Sequence, residues 1–160
     1  MIKSMPYEDK KNCRLILVGS GPEEVMLQKI CVKNNIEHQV KFISWLERDV
    51  LMHMFKTSSV FLFPSHEGAG MVVAEALSFG LPVICLQNEG PGEFINETCG
   101  IKIKMSNYEY TTEALSEALT SLYFDSNKRN KLRVGARKRF ENIFHWDRRG
   151  EQLQKIYADL

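Results

Sequence analysis

The sequence lacks the cysteine and histidine spacings of a metal site or a disulfide framework. Its four cysteines are Cys13, Cys31, Cys85 and Cys99, and no two of them form a C-x-x-C pair. The four histidines show no H-x-x-x-H pattern. Scattered cysteines of this kind are typical of reduced structural thiols. We therefore predict neither a disulfide nor a metal site.

The sequence also lacks a long apolar run and an excess of one charge. No run approaches a membrane span, and the first ten residues have no signal-peptide core. The net charge of +1 gives no overall field that would attract nucleic acid. We expect a cytoplasmic protein without a nucleic-acid partner. At 160 residues, 44% of them apolar, the chain is long enough for one domain with a core, so residues 1–160 are predicted as a single domain.

Short apolar runs alternate with segments of helical composition. Strands are predicted near residues 13–18, 39–43, 59–63, 82–86 and 101–104. Amphipathic spacing predicts C-terminal helices over about 111–160. Strands that alternate with helices indicate an α/β fold with a doubly wound, mainly parallel, Rossmann-like sheet of about five strands.

The central stretch, Ser59 to Leu86, reads as a strand, a glycine-bearing turn, a helix and a second strand. Gly68 and Gly70 allow the backbone to approach a ligand, and the helix that begins near Gly70 offers its N–H groups to phosphate. Glu67 and Glu75 lie before and inside this helix. Because carboxylates accept hydrogen bonds from the paired hydroxyls of a ribose or a sugar, the stretch indicates a nucleotide sugar.

Two other turns follow predicted strands. Gly19 and Gly21 form a second glycine turn before a helix, typical either of an ordinary tight turn or of a ligand site. Trp45 and Leu46 follow the strand at 39–43. Trp45 has the ring to stack on a nucleotide base, but a single Trp after a strand also packs into cores and interfaces.

The run P-S-H-E-G-A-G-M-V-V-A-E-A-L-S-F-G-L-P-V-I resembles the donor-site signature of the retaining glycosyltransferases of family 4 (glycosyl transferases group 1, GT-B fold). The resemblance includes the two glutamates, which have seven residues between them. Ala69 departs from the family, in which an aromatic residue often stands at this position. Complete enzymes of the family have two domains that face one cleft, and this chain is similar to the second, the donor-binding domain.

The resemblance implies a transferase that takes a nucleotide-diphosphate sugar as donor substrate, without a cofactor. Glu67 would be the catalytic residue, holding the transferred sugar and assisting at the reacting carbon, and Glu75 would hold the ribose. The diphosphate would bind the backbone N–H groups of Ala69, Gly70, Met71 and Val72. The resemblance also implies that Gly19 and Gly21 line the donor crevice and that the turn with Trp45 and Leu46 holds the base. Polysaccharide or glycolipid assembly is common in the family.

One part of the family pattern is missing. The family's second domain opens with another strand and with a loop whose Arg and Lys neutralise the donor diphosphate, and neither precedes Cys13. By doubly wound order, that strand would lie between 13–18 and 59–63. We expect a truncated or split fragment, inactive alone, whose gap is closed by direct pairing of those two strands, by residues 1–12 or by another chain. A glycan or lipid acceptor would bind through a missing N-terminal domain, and unpaired strand edges would favour self-association.

Other interpretations stay open. Glu67 and Glu75 have the chemistry of a glycosidase acid and base. A non-catalytic nucleotide-sugar-binding or subunit module is the second alternative. The basic stretch over 125–144 indicates a helix with a solvated basic face, although nucleic acid or peripheral contact with an anionic membrane would also suit it. Glu93 is a possible neighbour of the site.

Overall fold

A computed structural model describes residues 12–159. The loop or helix end predicted over 1–12 lies outside the described residues except for Asn12. The chain divides into two compact units, residues 1–53 (unit 1) and residues 54–160 (unit 2). The units are described separately below, and the prediction of a single domain stays a prediction.

Unit 1 contains two parallel strands and the helix between them. Strand β1 is Leu15–Val18, helix α1 is Glu24–Lys33 and strand β2 is Val40–Ile43. Leu15 pairs with Val40 at the start of the ladder. Helix α2, Arg48–Thr57, begins in unit 1 and crosses the boundary between the units. Among the described residues of unit 1, Cys31 is the one buried apolar side chain.

Unit 2 opens with a three-stranded parallel sheet in the order β3-β4-β5. Its elements are β3 (Phe61–Phe63), α3 (Met71–Ser78), β4 (Val83–Leu86), α4 (Pro91–Phe94) and β5 (Gly100–Ile103). Strand β4 lies between the other two, and all four of its residues are buried. A continuous apolar strand is typical of a parallel sheet covered on both faces.

Three further helices complete unit 2. They are α5 (Tyr108–Phe124), α6 (Ser126–Arg139) and α7 (Trp146–Ala158), with a π-helical turn at Phe140–Phe144. The Asn107 side chain caps α5 by accepting from Tyr110 N–H at 2.8 Å, as a good N-cap residue does. Helices α5 and α6 pack on the sheet in one core cluster made of Ile84, Leu86, Ile103, Ala118, Leu122 and Leu132.

The arginines of α6 bind the carbonyl ends of other helices. Arg129 donates to Leu122 O and Tyr123 O in the last turn of α5, and Arg139 donates to Phe94 O (3.1 Å) in the last residue of α4. Arg137 donates to Ser78 O at the end of α3. Helix C-termini carry unpaired carbonyls and partial negative charge, so cations stabilise them. The interpretation of this stretch as a simply solvated face is therefore incomplete, since several of its cations bind protein atoms.

The predicted α/β fold with parallel strands is confirmed, and the five strands divide into a sheet of two and a sheet of three. Within residues 12–159, β1 pairs only with β2, and β3 pairs only with β4. The expected closures of the gap by strand pairing, by residues 1–12 or by another chain stay predictions. None of the described helices is both long and apolar enough to span a membrane.

Candidate functional site

The turn between β3 and α3 forms a tight backbone corner. After Phe63 the chain leaves the sheet, and Gly70 starts the helix in the left-handed conformation, with φ +61° and ψ +32°. A β-carbon on Gly70 would lie 2.6 Å from Pro91 Cγ, so a larger residue would both strain the backbone and clash. Glycine at this position therefore lets the corner pack directly against the start of α4.

Among residues 12–159, no side chain caps the N-terminal end of α3. Val73 N–H donates to Gly70 O at 2.8 Å, so the amides of Gly70, Met71 and Val72 precede the first hydrogen bond of the helix. Gly70 provides no side-chain cap, and the first turn contains no acidic residue. Ala69 and Met71 are exposed, Val72 is half-buried and Gly70 is buried. Amides at the positive end of a helix dipole are suited to an anionic group such as phosphate.

The two glutamates differ in their surroundings. Glu67 is exposed in the turn, and Ser65 Oγ donates to its Oε2 at 3.4 Å. Glu75 is half-buried, four residues after Met71, on the side of α3 away from the buried Val73 and Leu77. Neither carboxylate is sealed in the core, which is a requirement for holding the hydroxyls of a ligand.

The loop between β4 and α4 forms a second side of this corner. A β-carbon on Gly90 would lie 2.3 Å from Gly68 O, because the two loops touch through their backbones. Asn88 joins the same two loops by a side-chain hydrogen bond to Ser65 O at 3.0 Å. Asn88 is not among the site residues predicted from the sequence, although the polar, glycine-rich run from Gln87 to Glu93 is typical of a functional loop. Glu93, the possible neighbour, is exposed at the end of that run.

The remaining predicted residues belong to unit 1. Gly19 and Gly21 are exposed in the turn between β1 and α1, with no atom within 4 Å of the position of a side chain. Trp45 is 68% exposed, so its ring is not part of a core. Leu46 beside it is half-buried. Both turns follow the carboxyl ends of parallel strands, the usual location of ligands in α/β sheets.

Burial gives the cysteines low reactivity. Cys31, Cys85 and Cys99 are buried, Cys13 is half-exposed, and all four are free thiols. Burial raises the pKa of Cys85 to about 11 and also raises the pKa of Cys99. A thiol that stays protonated at neutral pH is a poor nucleophile. Across residues 12–159 no three His, Cys, Asp or Glu side chains are grouped to hold a metal ion.

Residues 1–139 match the family described as Glycosyl transferases group 1. The chain belongs to this family. Membership confirms the resemblance seen in the central stretch, and it places the glycine corner and both glutamates inside the matched region. The roles of the individual residues stay predictions.

Relatives of the chain include a GDP-mannose-dependent monoacylated alpha-(1-6)-phosphatidylinositol monomannoside mannosyltransferase from Corynebacterium glutamicum, 28% identical over 98% of this chain and 42% of the relative. Another is O-antigen chain mannosyltransferase C from Escherichia coli, 24% identical over 95% of this chain and 41% of that protein. This member of the glycosyl transferases group 1 family therefore spans about two fifths of the length of these enzymes.

Solved structures of glycosyltransferases share the fold. WaaG, a glycosyltransferase involved in lipopolysaccharide biosynthesis, has a TM-score of 0.77 at 25% identity, over 89% of this chain and 38% of that chain. HepE from Anabaena, solved in complex with UDP, has a TM-score of 0.74 at 18% identity, over 99% of this chain and 43% of its own. The group 1 chain thus has the fold of one part of these larger enzymes.

Proposed function

We propose that this chain is the donor-binding part of a retaining glycosyltransferase that moves a sugar from a nucleotide-diphosphate sugar to a glycan or lipid. The observation that carries the proposal is the corner at Gly70, where uncapped helix amides follow the exposed Glu67 and precede the half-buried Glu75 in a chain of this family. The named relatives support donors of the GDP-sugar and UDP-sugar type and acceptors that are lipids or polysaccharides.

In this proposal, different groups of the protein bind different parts of the donor. The amides of Ala69, Gly70, Met71 and Val72 hold the diphosphate and stabilise the charge that develops on it when the bond to the sugar breaks. Glu67 holds the transferred sugar and assists at its reacting carbon, while Glu75 accepts from the ribose hydroxyls. Gly19 and Gly21 contribute to the donor crevice, and the turn with Trp45 and Leu46 holds the base.

Calorimetric titration of the 160-residue chain with UDP and with GDP tests the assignment of Glu75. Glu75→Gln keeps the shape of the side chain but removes the charge that strengthens hydrogen bonds from the ribose. We expect the variant to weaken the preferred nucleotide about tenfold, while Glu113→Gln, an exposed change in α5, leaves binding unchanged. Unchanged affinity in Glu75→Gln would remove Glu75 from the site.

A non-catalytic binding or subunit module remains the second candidate, because the edge strands of both sheets, β1, β2, β3 and β5, each have a single partner strand among residues 12–159. Such edges favour pairing with another chain, including a second copy. We expect no sugar transfer by the 160 residues alone, because they span only about two fifths of the length of the relatives that are named as mannosyltransferases. Light scattering over a concentration series distinguishes a self-associating chain from a monomer. Radiolabelled sugar transfer, measured in the same samples, tests activity.

A further inference from the structure

One side chain in unit 2 connects, by hydrogen bonds, two loops that are distant in sequence. Asn88 Nδ2 donates to Ser65 O at 3.0 Å, across 23 positions of the chain. On its other side, Asn88 Oδ1 accepts from Gly92 N–H at 3.2 Å. One amide group therefore connects the β3–α3 turn to the β4–α4 loop through a donor and an acceptor that are not interchangeable.

The two loops touch through their backbones next to this side chain. Gly90 lies so close to Gly68 that a β-carbon would be 2.3 Å from Gly68 O and 2.7 Å from Glu67 O. Residues 66–69 are otherwise exposed. The neighbouring loop therefore packs against this part of the turn, and Asn88 forms its two hydrogen bonds beside that contact.

We propose that Asn88 is a positioning residue for the diphosphate subsite, acting through the backbone of Ser65 to Gly70. This inference rests on the proposed function, since it names what keeps the anion-binding amides oriented before the donor arrives. Preorganised donors bind more tightly because they lose less freedom on binding. Asn88 itself touches no ligand in this arrangement.

The test is titration of the full chain with UDP and GDP, and with the matching nucleosides uridine and guanosine. Loss of one positioning hydrogen bond should weaken a nucleoside diphosphate about five- to tenfold in Asn88→Ala. The nucleosides lack phosphate, so their affinity should not change. Asn88→Asp keeps an acceptor for Gly92 but cannot donate to Ser65, and it should weaken the diphosphate at least as much as Asn88→Ala.

Asn34→Ala is the matched control, because Asn34 Nδ2 also donates to a backbone carbonyl, Ile30 O at 2.8 Å, after α1. It should leave all four affinities unchanged. The proposal is overturned if Asn88→Ala binds the diphosphate as tightly as the wild type. An equal loss for nucleoside and diphosphate overturns it too, since that result indicates general loss of structure.

A second measurement separates this inference from the proposed function. If wild-type chain binds neither UDP nor GDP, the donor assignment fails, and NMR order parameters of the Gly68 and Gly70 amides then test Asn88 alone. We expect values near 0.85 in the wild type to fall below about 0.6 in Asn88→Ala. Equal order parameters in the two proteins would contradict the positioning role.

Discussion

The parallel strands of unit 2 are more deeply buried than those of unit 1. In unit 2, β4 has a strand on each side, and its four residues are buried. In the described part of unit 1, each strand has one neighbour, and Ile16 and Val18 of β1 are both 42% exposed. Parallel sheets occur almost only where both of their faces are covered. Stability should therefore reside in unit 2, and unit 1 should need further structure to cover it.

The largest expected change in the free energy of unfolding comes from a substitution in the core of unit 2. Ile84 is 0% exposed in β4, so Ile84→Ala leaves a cavity and should lower the free energy of unfolding by about 2 to 5 kcal/mol. The matched change in unit 1, Ile30→Ala, removes a side chain that is already 45% exposed. It should cost no more than about 0.5 kcal/mol. Urea denaturation of the two variants measures the difference, and equal losses would refute the contrast between the units.

Substitution of one glycine in each unit tests the same comparison at the two turns. Gly70→Ala places a β-carbon at φ +61° and 2.6 Å from Pro91 Cγ, which should destabilise the chain by about 1 to 3 kcal/mol. Gly21→Ala meets nothing within 4 Å and should change stability by less than about 0.5 kcal/mol. Thermal unfolding followed by circular dichroism provides the readout. A Gly21→Ala variant as unstable as Gly70→Ala would show that the unit 1 turn is not open.

A smaller effect concerns the basic helix of unit 2. Arg139 donates to Phe94 O (3.1 Å) and Glu93 O (3.4 Å) at the end of α4, so Arg139→Ala should cost about 1 kcal/mol. Its neighbour Lys138 is exposed, and Lys138→Ala should be neutral within about 0.3 kcal/mol. Chemical denaturation at low and high salt measures both. If the two variants lose the same stability, charge in general, not the carbonyl contacts, explains the basic stretch.

The smallest expected effect is a pH dependence that arises in β4. Burial raises the pKa of the Cys85 thiol from 9.0 to about 11 in the folded chain. Because the folded state holds this proton more tightly, the stabilisation is complete below the unfolded pKa and is lost as the pH rises from about 9 to 11. Between pH 7 and 9 the loss should be less than about 1 kcal/mol. Cys85→Ala should reduce this part of the slope, and an unchanged slope would exclude the Cys85 thiol as its source.

Much of unit 2 could be predicted from local sequence. The strand predicted near 59–63 and the helix predicted to begin near Gly70 agree with β3 and the start of α3 to within two residues. The left-handed φ of +61° at position 70 favours glycine, so the residue in the sequence suits the conformation of the turn. These features depend on neighbours in the chain, which a sequence pattern records.

Contacts between distant segments could not be predicted in the same way. Asn88 meets Ser65 across 23 positions, and Arg139 meets Phe94 across 45. A local pattern shows a polar loop and a basic helix, but it does not show which carbonyls they bind. Strand propensity does not show which strands are adjacent in space. It therefore could not predict that the five strands form two sheets.

The most direct test of the account is an NMR titration of the 160-residue chain with UDP and with GDP, following the backbone amides. The anion-binding corner predicts the largest shifts at Ala69, Gly70, Met71 and Val72, with smaller ones in the turns at Gly19 and Trp45. Uridine or guanosine alone should leave the four amides of the corner unshifted. Saturable binding of either nucleotide with shifts confined to α6, or with no shift at Gly70, would contradict the assignment of this corner to the donor diphosphate.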